Sequence, residues 1–580
     1  MSSQNLSING TKCVKLLRYL AITISLILAC DTPLIAQGVV DATSLNNKIM
    51  AGYQGWFRCP GDRPGSTSWA HVFNHAGITA QNLAFDTWPD VSEFRKQDLY
   101  PVPGFTDPSS NQAYMYSPQN YYSVLKHFEW MKEYGIDGVW LSEFCGSFRN
   151  GHADSAMLTV MNNVRKAATA TGRTWAYMWD MSSFGPRSTK ADVYNTIITQ
   201  WKNMVDQGVT SDPRYLHHNG KPVLLIWGFF PGRPASQPDY MTPVLDFLLA
   251  PGKYQATLVA GADNKWRQGT PEFQAMLMRC AALQPWSVGR VTTDPATGYR
   301  VPFTDEWAAD IAKCKENNVM FIPVINSGTN VAGPPPGVPN ASNARAKTPW
   351  PGLPAVPRRQ GDYLWQYFVA ASKTGAINSA FVAMFDEVNE GTQIEKISNH
   401  PPTQAPFLTY EGATSDYYLR LTGAGAKLLR SHSSVTFPIP VSPFDLKKTY
   451  TIKNKASGMA LHNEDNTTIV QTPGDEAEWQ IIFDGKGYFI IKNRRSGKAL
   501  ATSAEDDKLK QVTDTQTDIV KWHLEWDGTG DCRIVSKTGK RALSSNNGTT
   551  NRSSVIQVPD LSTPFDPKTH DELRWQIIEK

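Results

Sequence analysis

The sequence is short of cysteine: 7 in 580 residues, with no CxxC spacing. That excludes a structural zinc site built from paired thiolates and a small disulfide-framed fold. Charge is also sparse. Charged residues make up 19%, and 57 Lys and Arg against 53 Asp and Glu leave a net charge of +4. So small an excess lacks the basic footprint of a nucleic-acid binder. Long apolar runs are missing beyond the N-terminus, so no later segment is expected to span a membrane. Aromatic residues are plentiful, with 18 Trp, 21 Tyr and 24 Phe, and 41% of the chain is hydrophobic. That composition can bury a large core and excludes a disordered or fibrous chain. The 42 Gly and 39 Pro point to many turns and long loops rather than a helical bundle.

Lys12, Lys15 and Arg18 attend a short apolar run over 16–29, and Ala36-Gln37 follows a polar stretch. This reads as a signal peptide, residues 1–36, cut after Ala36. Lipid attachment at Cys30 is the alternative. Removing 1–36 takes away three basic residues and one acidic one, lowering the net charge to +2. The mature protein is then expected to be secreted, periplasmic or held at the cell surface, and monomeric. Five cysteines remain: Cys59, Cys145, Cys280, Cys314 and Cys532. Export permits a disulfide, but buried small apolar residues are an equally good reading.

A Pro-rich segment, 433–444, divides two unlike regions. In residues 37–432, strand patterns at 49–57, 138–144, 175–181, 223–230, 256–260, 283–288, 319–325 and 381–385 alternate with helical ones. The stretch YYSVLKHFEWMKEYG (121–135) places Tyr122, Leu125, Phe128 and Met131 on one face and stops at Gly135. Further helices fit 156–170, 191–206, 243–249, 272–280, 305–316, 362–373 and 416–429. Eight strands, each followed by a helix, predict an α/β fold of the (β/α)8 TIM-barrel class.

Residues 445–580 repeat themselves. YTIKNKASGMALHN, YFIIKNRRSGKALAT and CRIVSKTGKRALSS are similar, and each unit closes on a Trp, at 479, 522 and 575. Three all-β units are too few for an open solenoid and suit a closed three-fold arrangement with each Trp in a shared core. The region resembles the ricin-type β-trefoil lectin module. That resemblance implies carbohydrate binding, although His462, Ala501 and Ser544 stand where the lectins usually carry Asp, and no unit has Gln two before its Trp.

In a parallel barrel the site forms at the C-terminal strand ends. There the first strand offers Trp56, the second Glu143, the third Asp180, the fourth Trp227 and the seventh Asn326. His71 follows on the first loop. The eighth strand runs into FDEVNEGTQIE (385–395), carrying Asp386, Glu387, Glu390 and Glu395. Aromatic planes take the apolar faces of sugars, and carboxylates take hydroxyls. Glycosidic cleavage needs two carboxyl groups, and Glu387 and Glu390 are the candidate catalytic pair. Two carboxylates so close cannot both ionise easily, so one should keep a proton for general acid catalysis. Trp56, His71, Glu143, Asp180, Trp227 and Asn326 are candidate substrate-binding residues. No metal or cofactor is expected. The Pro-rich loop 328–359, with Trp350, is expected to wall the cleft.

FDEVNEGTQIE looks like the catalytic segment of glycoside hydrolase family 99, the endo-acting α-mannosidases. AGYQGWF (51–57), Trp69 and His71, and GIDGVWLSEF (135–144) look like the wider group joining families 71 and 99. The resemblance implies Glu390 as general acid/base and Glu387 as base toward the substrate 2-hydroxyl, through a 1,2-anhydro sugar and with retention. Asp386 and Val388 depart from that family's pattern. The expected protein is a secreted glycosidase acting on α-linked oligo- or polysaccharides, with a lectin-like module holding it near substrate. The alternatives are an α-glucanase, a xylosidase or arabinosidase on the same barrel, or a carbohydrate-binding protein without catalysis.

Overall fold

The computed structural model describes residues 38–580 apart from 74–76, 152–153, 296–298, 330–355, 406, 411, 432–437, 465–467, 475–476, 486, 504–506, 527–530 and 560–569. The signal peptide with Cys30, most of the 328–359 loop with Trp350, and 433–437 of the Pro-rich segment lie outside the described residues.

Eight strands carry the first region: β1 (Ile49–Tyr53), β2 (Gly138–Phe144), β3 (Thr174–Asp180), β4 (Lys221–Phe229), β5 (Thr257–Asp263), β6 (Ala282–Trp286), β7 (Met320–Phe321 continued by Val324–Asn326) and β8 (Ala380–Ala383). Neighbours pair in parallel from β1 through β6. β7 closes the circle. Its first half pairs with β6 and its second half with β8, which pairs with β1. The switch falls at Ile322-Pro323, where proline has no N–H to give a ladder. Helices α1 (Tyr121–Tyr134), α2 (Ser155–Thr171), α3 (Lys190–Asp206), α4 (Pro238–Leu249), α5 (Pro271–Leu277), α6 (Trp307–Glu316), α7 (Asp362–Lys373) and α8 (Tyr417–Ser431) follow the strands in turn.

Local chemistry sets these boundaries. Asn120 accepts the Tyr122 N–H at the start of α1, and Gly135 ends it at φ 78°. Thr189 and Asp192 form a capping box on α3. α4 begins earlier than its pattern suggested, at Pro238, and carries Pro243 within it. β1 stops at Tyr53 rather than Phe57 because the Asp386 carboxylate takes the N–H groups of Gln54 and Gly55, each at 2.8 Å.

The barrel interior is packed. A side chain on Gly52 would meet Met384 and Phe381 at under 3 Å, so only glycine fits there. The long β1–α1 connection builds a second apolar cluster from Phe57, Phe73, Phe85, Trp88, Phe105 and Met115. Val388 is buried in that cluster. This lobe and its hairpin, Tyr100–Thr106 with Gln112–Met115, carried no sequence signal.

The C-terminal region is a β-trefoil. Six strands, Tyr450–Asn454, Trp479–Phe483, Phe489–Asn493, Lys521–Trp526, Cys532–Ser536 and Trp575–Glu579, pair antiparallel into a closed ring. Each unit adds a hairpin. The three-fold sequence repeat becomes a three-fold hydrogen bond. Trp479, Trp522 and Trp575 are fully buried and donate from Nε1 to the carbonyls of Leu461 (2.9 Å), Leu500 (3.0 Å) and Leu543 (3.1 Å).

Trp522→Ala removes one of these anchors and leaves a cavity. It is expected to destabilise the trefoil by about 3–5 kcal/mol. Scanning calorimetry of the full chain should show one lowered transition and one unchanged. A single transition that shifts as a whole would mean that the two regions unfold together.

Candidate active site

The turn after β8 gathers the carboxylates. Asp386 is fully buried, its two oxygens held by the Gln54 and Gly55 N–H groups. Glu387 is 5% exposed. Its Oε1 accepts from Gln54 Nε2 at 3.0 Å and its Oε2 from Thr392 Oγ1 at 3.3 Å. The backbone then folds on itself: Thr392 N donates to the Glu387 carbonyl, and Gly391 N to that of Val388. Gly391 has φ 66°, a conformation glycine takes without strain. Buried Val388 pins the middle of the turn, leaving Glu387 and Glu390 on either side of it.

The electrostatics follow from this crowding. Burial first, then the Glu390 and Asp386 charges, push Glu387 well above the usual carboxylate range. Burial and the Asp180 charge push Glu390 up to about 7. Burial also raises Asp386, to about 6, against the pull of its two N–H partners. The pair therefore holds a proton at neutral pH. Gln54 and Thr392 both donate to Glu387 and favour its anion, but burial and the neighbouring charges outweigh them, so in the free site the proton rests on Glu387 rather than on Glu390.

Asp180 joins this pair. The register aligns Phe144, Asp180 and Trp227 across β2, β3 and β4, and the Asp180 charge is felt at Glu390. Trp227 meets Phe230 and Trp286 edge-on at 5.2 and 5.3 Å.

Trp56 is stacked on His71 at 4.4 Å and 5°, and lies nearly parallel to Phe144 at 6.0 Å. Trp56 is half-buried, and it stands beside exposed His71 and Phe144, 39% exposed. Desolvation of the ring where it packs on Trp56, with the nearby Arg58 charge, pushes the His71 pKa down although the residue as a whole stays exposed.

Two candidates stand elsewhere. Glu143 aligns with Trp179, which packs on Phe148 and on Trp201 of α3. Its carboxyl therefore faces the helices, where burial and Asp154 push it up to about 8; neither Glu387 nor Glu390 is the charge beside it. Asn326 is fully buried, donating to Tyr367 at 3.3 Å and accepting from Gly328 N at 3.2 Å. It organises the end of β7. Glu395 also turns away from the pair: Tyr116 donates to its carboxylate at 2.9 Å, and His127 lies 3.6 Å off.

Sequence reading missed Gln54, Thr392, Phe144 and Asp263. Gln54 and Thr392 lie inside the motifs quoted for the site, and their amide and hydroxyl donors were the available signal. Asp263 ends β5 beside Arg290 at 3.2 Å, three residues past the expected strand end. Among the described residues no group of His, Cys, Asp and Glu is arranged to hold a metal ion, and no helix is long and apolar enough to cross a membrane. The five described cysteines are all buried and unpaired.

The molecule is thus a parallel (β/α)8 barrel with a carboxylate-lined mouth, followed by a β-trefoil. Residues 442–506 and 475–558 match the family model described as ricin-type beta-trefoil lectin domain-like. The chain is similar to the GH99 endo-alpha-mannosidase from Bacteroides thetaiotaomicron, at 17% identity over 67% of this chain and 99% of that one, with a TM-score of 0.47. Its trefoil part is similar to the designed three-fold symmetric protein ThreeFoil, at 26% identity over 22% of this chain and 97% of that one, TM-score 0.20. It is similar too to an exo-beta-1,3-galactanase from Clostridium thermocellum, at 26% identity over 23% and 30%, TM-score 0.20. No curated protein sequence matches the chain.

Asp180→Asn removes the charge that reaches Glu390. It is expected to lower the Glu390 pKa from about 7 toward the ordinary value of about 4.3, without reaching it, because burial remains. Carboxyl-carbon NMR through a pH titration reads this directly. An unchanged midpoint would mean that Asp180 does not act on Glu390.

Proposed function

We propose that the chain is an exported glycoside hydrolase acting on oligo- or polysaccharides, with the trefoil as its glycan-targeting module. The observation that carries this reading is the pair of carboxyls on one turn at the barrel mouth, buried Glu387 and half-buried Glu390, crowded enough that burial and neighbouring charge raise both pKa values. The aromatic surfaces of Phe144, His71 and half-buried Trp56 suit the apolar faces of sugar rings.

Glu390 is the general acid. Glu387, to which Gln54 and Thr392 donate, is the base, and the proton that rests on it in the free site passes to Glu390 when substrate binds. Glu387 takes the proton of the sugar 2-hydroxyl, O2 bonds to C1 from the side opposite the leaving group, and the C1–oxygen bond breaks as Glu390 protonates the departing oxygen. The product is a 1,2-anhydro sugar. In the second half Glu390 takes a proton from water, the water oxygen bonds to C1, and O2 leaves C1 and recovers its proton from Glu387. Two inversions give retention, and the carboxylates end as they began.

The route constrains the substrate. O2 attacks from behind only when the 2-hydroxyl and the leaving group are trans. α-Mannosides, β-xylosides and α-L-arabinofuranosides meet this condition; α-glucosides do not. The α-glucanase alternative is therefore the weakest of those the sequence left open.

Kinetics of the two single variants divide the roles. Glu390→Gln is expected to slow substrates with poor leaving groups by about 10²–10⁴-fold more than activated aryl glycosides, which need little protonation. Glu387→Gln should slow both alike, since its work is at the 2-hydroxyl. If both variants respond to leaving-group quality in the same way, the division of labour is wrong.

A further inference from the structure

Of the buried cations that the chemistry above leaves unused, Arg358 is the one bonded to the carboxylate turn. Arg358, just ahead of α7, is 7% exposed. Its Nη2 donates to two carbonyls of the carboxylate turn at once, Gly391 at 2.7 Å and Gln393 at 2.8 Å. These two residues flank Thr392, whose hydroxyl reaches Glu387 and whose N–H donates to the Glu387 carbonyl. Gly391 follows Glu390 directly. The guanidinium lies 4.7 Å from the Tyr418 ring centre and 5.2 Å from that of Tyr410. Both rings are fully buried, and they fix the plane of the cation. Ser327, at the end of β7, adds an Oγ within 3.0 Å of the Thr392 carbonyl.

Burying a guanidinium is costly unless its donors find partners. Here the partners are backbone oxygens of the segment that carries the carboxylates. We propose that Arg358 is a positioning residue for the pair. It fixes the carbonyls on both sides of Thr392, so that Thr392 meets Glu387 and the Glu390–Gly391 peptide keeps one orientation. Arg358 touches no reacting atom and acts through the turn. Lysine would keep the charge but lose the planar group that stacks under two rings while holding two carbonyls.

The inference rests on the catalytic reading of Glu387 and Glu390, and its test separates the two. In the full chain, Arg358→Lys is expected to lower kcat on an activated aryl glycoside by about 10²-fold, the usual effect of a misplacement near 1 Å, with KM within about twofold. The limb of the pH–rate profile set by the pair should move. Activity of Arg358→Ala should recover in part with added guanidinium and not with methylammonium. Amide hydrogen exchange across 386–395 should quicken in Arg358→Lys while the trefoil is unchanged. Should Arg358→Ala fail to fold, Arg358→Lys carries the test. Unchanged kcat, pH profile and exchange in Arg358→Lys would overturn the proposal. Loss of kcat with unchanged exchange across 386–395 would overturn it too. Full turnover by Glu390→Gln on a substrate with a poor leaving group would instead sink the catalytic reading, and exchange would still decide whether Arg358 holds the turn.

Discussion

One carboxylate joins the two ends of the barrel circuit at its mouth. Asp386 follows β8 and binds the two N–H groups that follow β1. That bond ends β1, turns the chain out of the barrel, and brings Gln54 over Glu387. Asp386, Glu387, Glu390 and Glu395 all lie within ten residues, and all are largely removed from water. Among the described residues, no lysine or arginine forms an ion pair with any of the four. Their charge is met instead by N–H groups, a glutamine amide, hydroxyls of Thr392 and Tyr116, and retained protons. A buried carboxylate with such partners is tolerated because each oxygen is satisfied. Burial and crowding keep a proton on the Glu387–Glu390 pair, where it is available to chemistry.

The surrounding structure serves this turn. Val388, one of the departures from the family pattern, is sealed among the aromatics of the β1–α1 lobe, so the backbone between the two glutamates cannot swing. Arg358 and Ser327 hold the far side through carbonyls. The barrel strands beneath are filled by large side chains, and Gly52 is small because Met384 and Phe381 claim its space. A site pinned on three sides can hold two carboxyl groups, one protonated and one charged, at a fixed separation, as a divided acid–base role requires.

Much of this was legible in the sequence. The alternation of strands and helices gave the barrel, because parallel strands buried on both faces read as apolar runs. The three Trp-closing units gave the trefoil, because each indole repeats one hydrogen bond to one leucine carbonyl. The EVNE spacing pointed to the carboxylate pair. What stayed hidden was set by contacts distant in sequence. Glu143 sits at the end of a strand, like Asp180, and only the register shows the two on opposite faces. Asn326 is a polar residue at a strand end whose amide is spent on Tyr367 and Gly328. Trp56 offered a ring, and its stacking with His71 and Phe144 joins segments far apart in sequence. The β1–α1 lobe lacks a period, so its aromatics gave no element to predict. Arg358 was one basic residue among many until its carbonyl partners were known.

The most direct measurement is a crystal structure of the full-length Glu390→Gln variant soaked with an oligosaccharide bearing 1,2-trans linkages. The account expects a sugar ring in the barrel mouth, with the glycosidic oxygen within hydrogen-bond distance of the side chain at position 390. The 2-hydroxyl should lie beside Glu387, on the opposite side of C1 from the leaving oxygen. A sugar bound with its 2-hydroxyl turned away from Glu387, or a mouth that takes no sugar while the trefoil does, would contradict it.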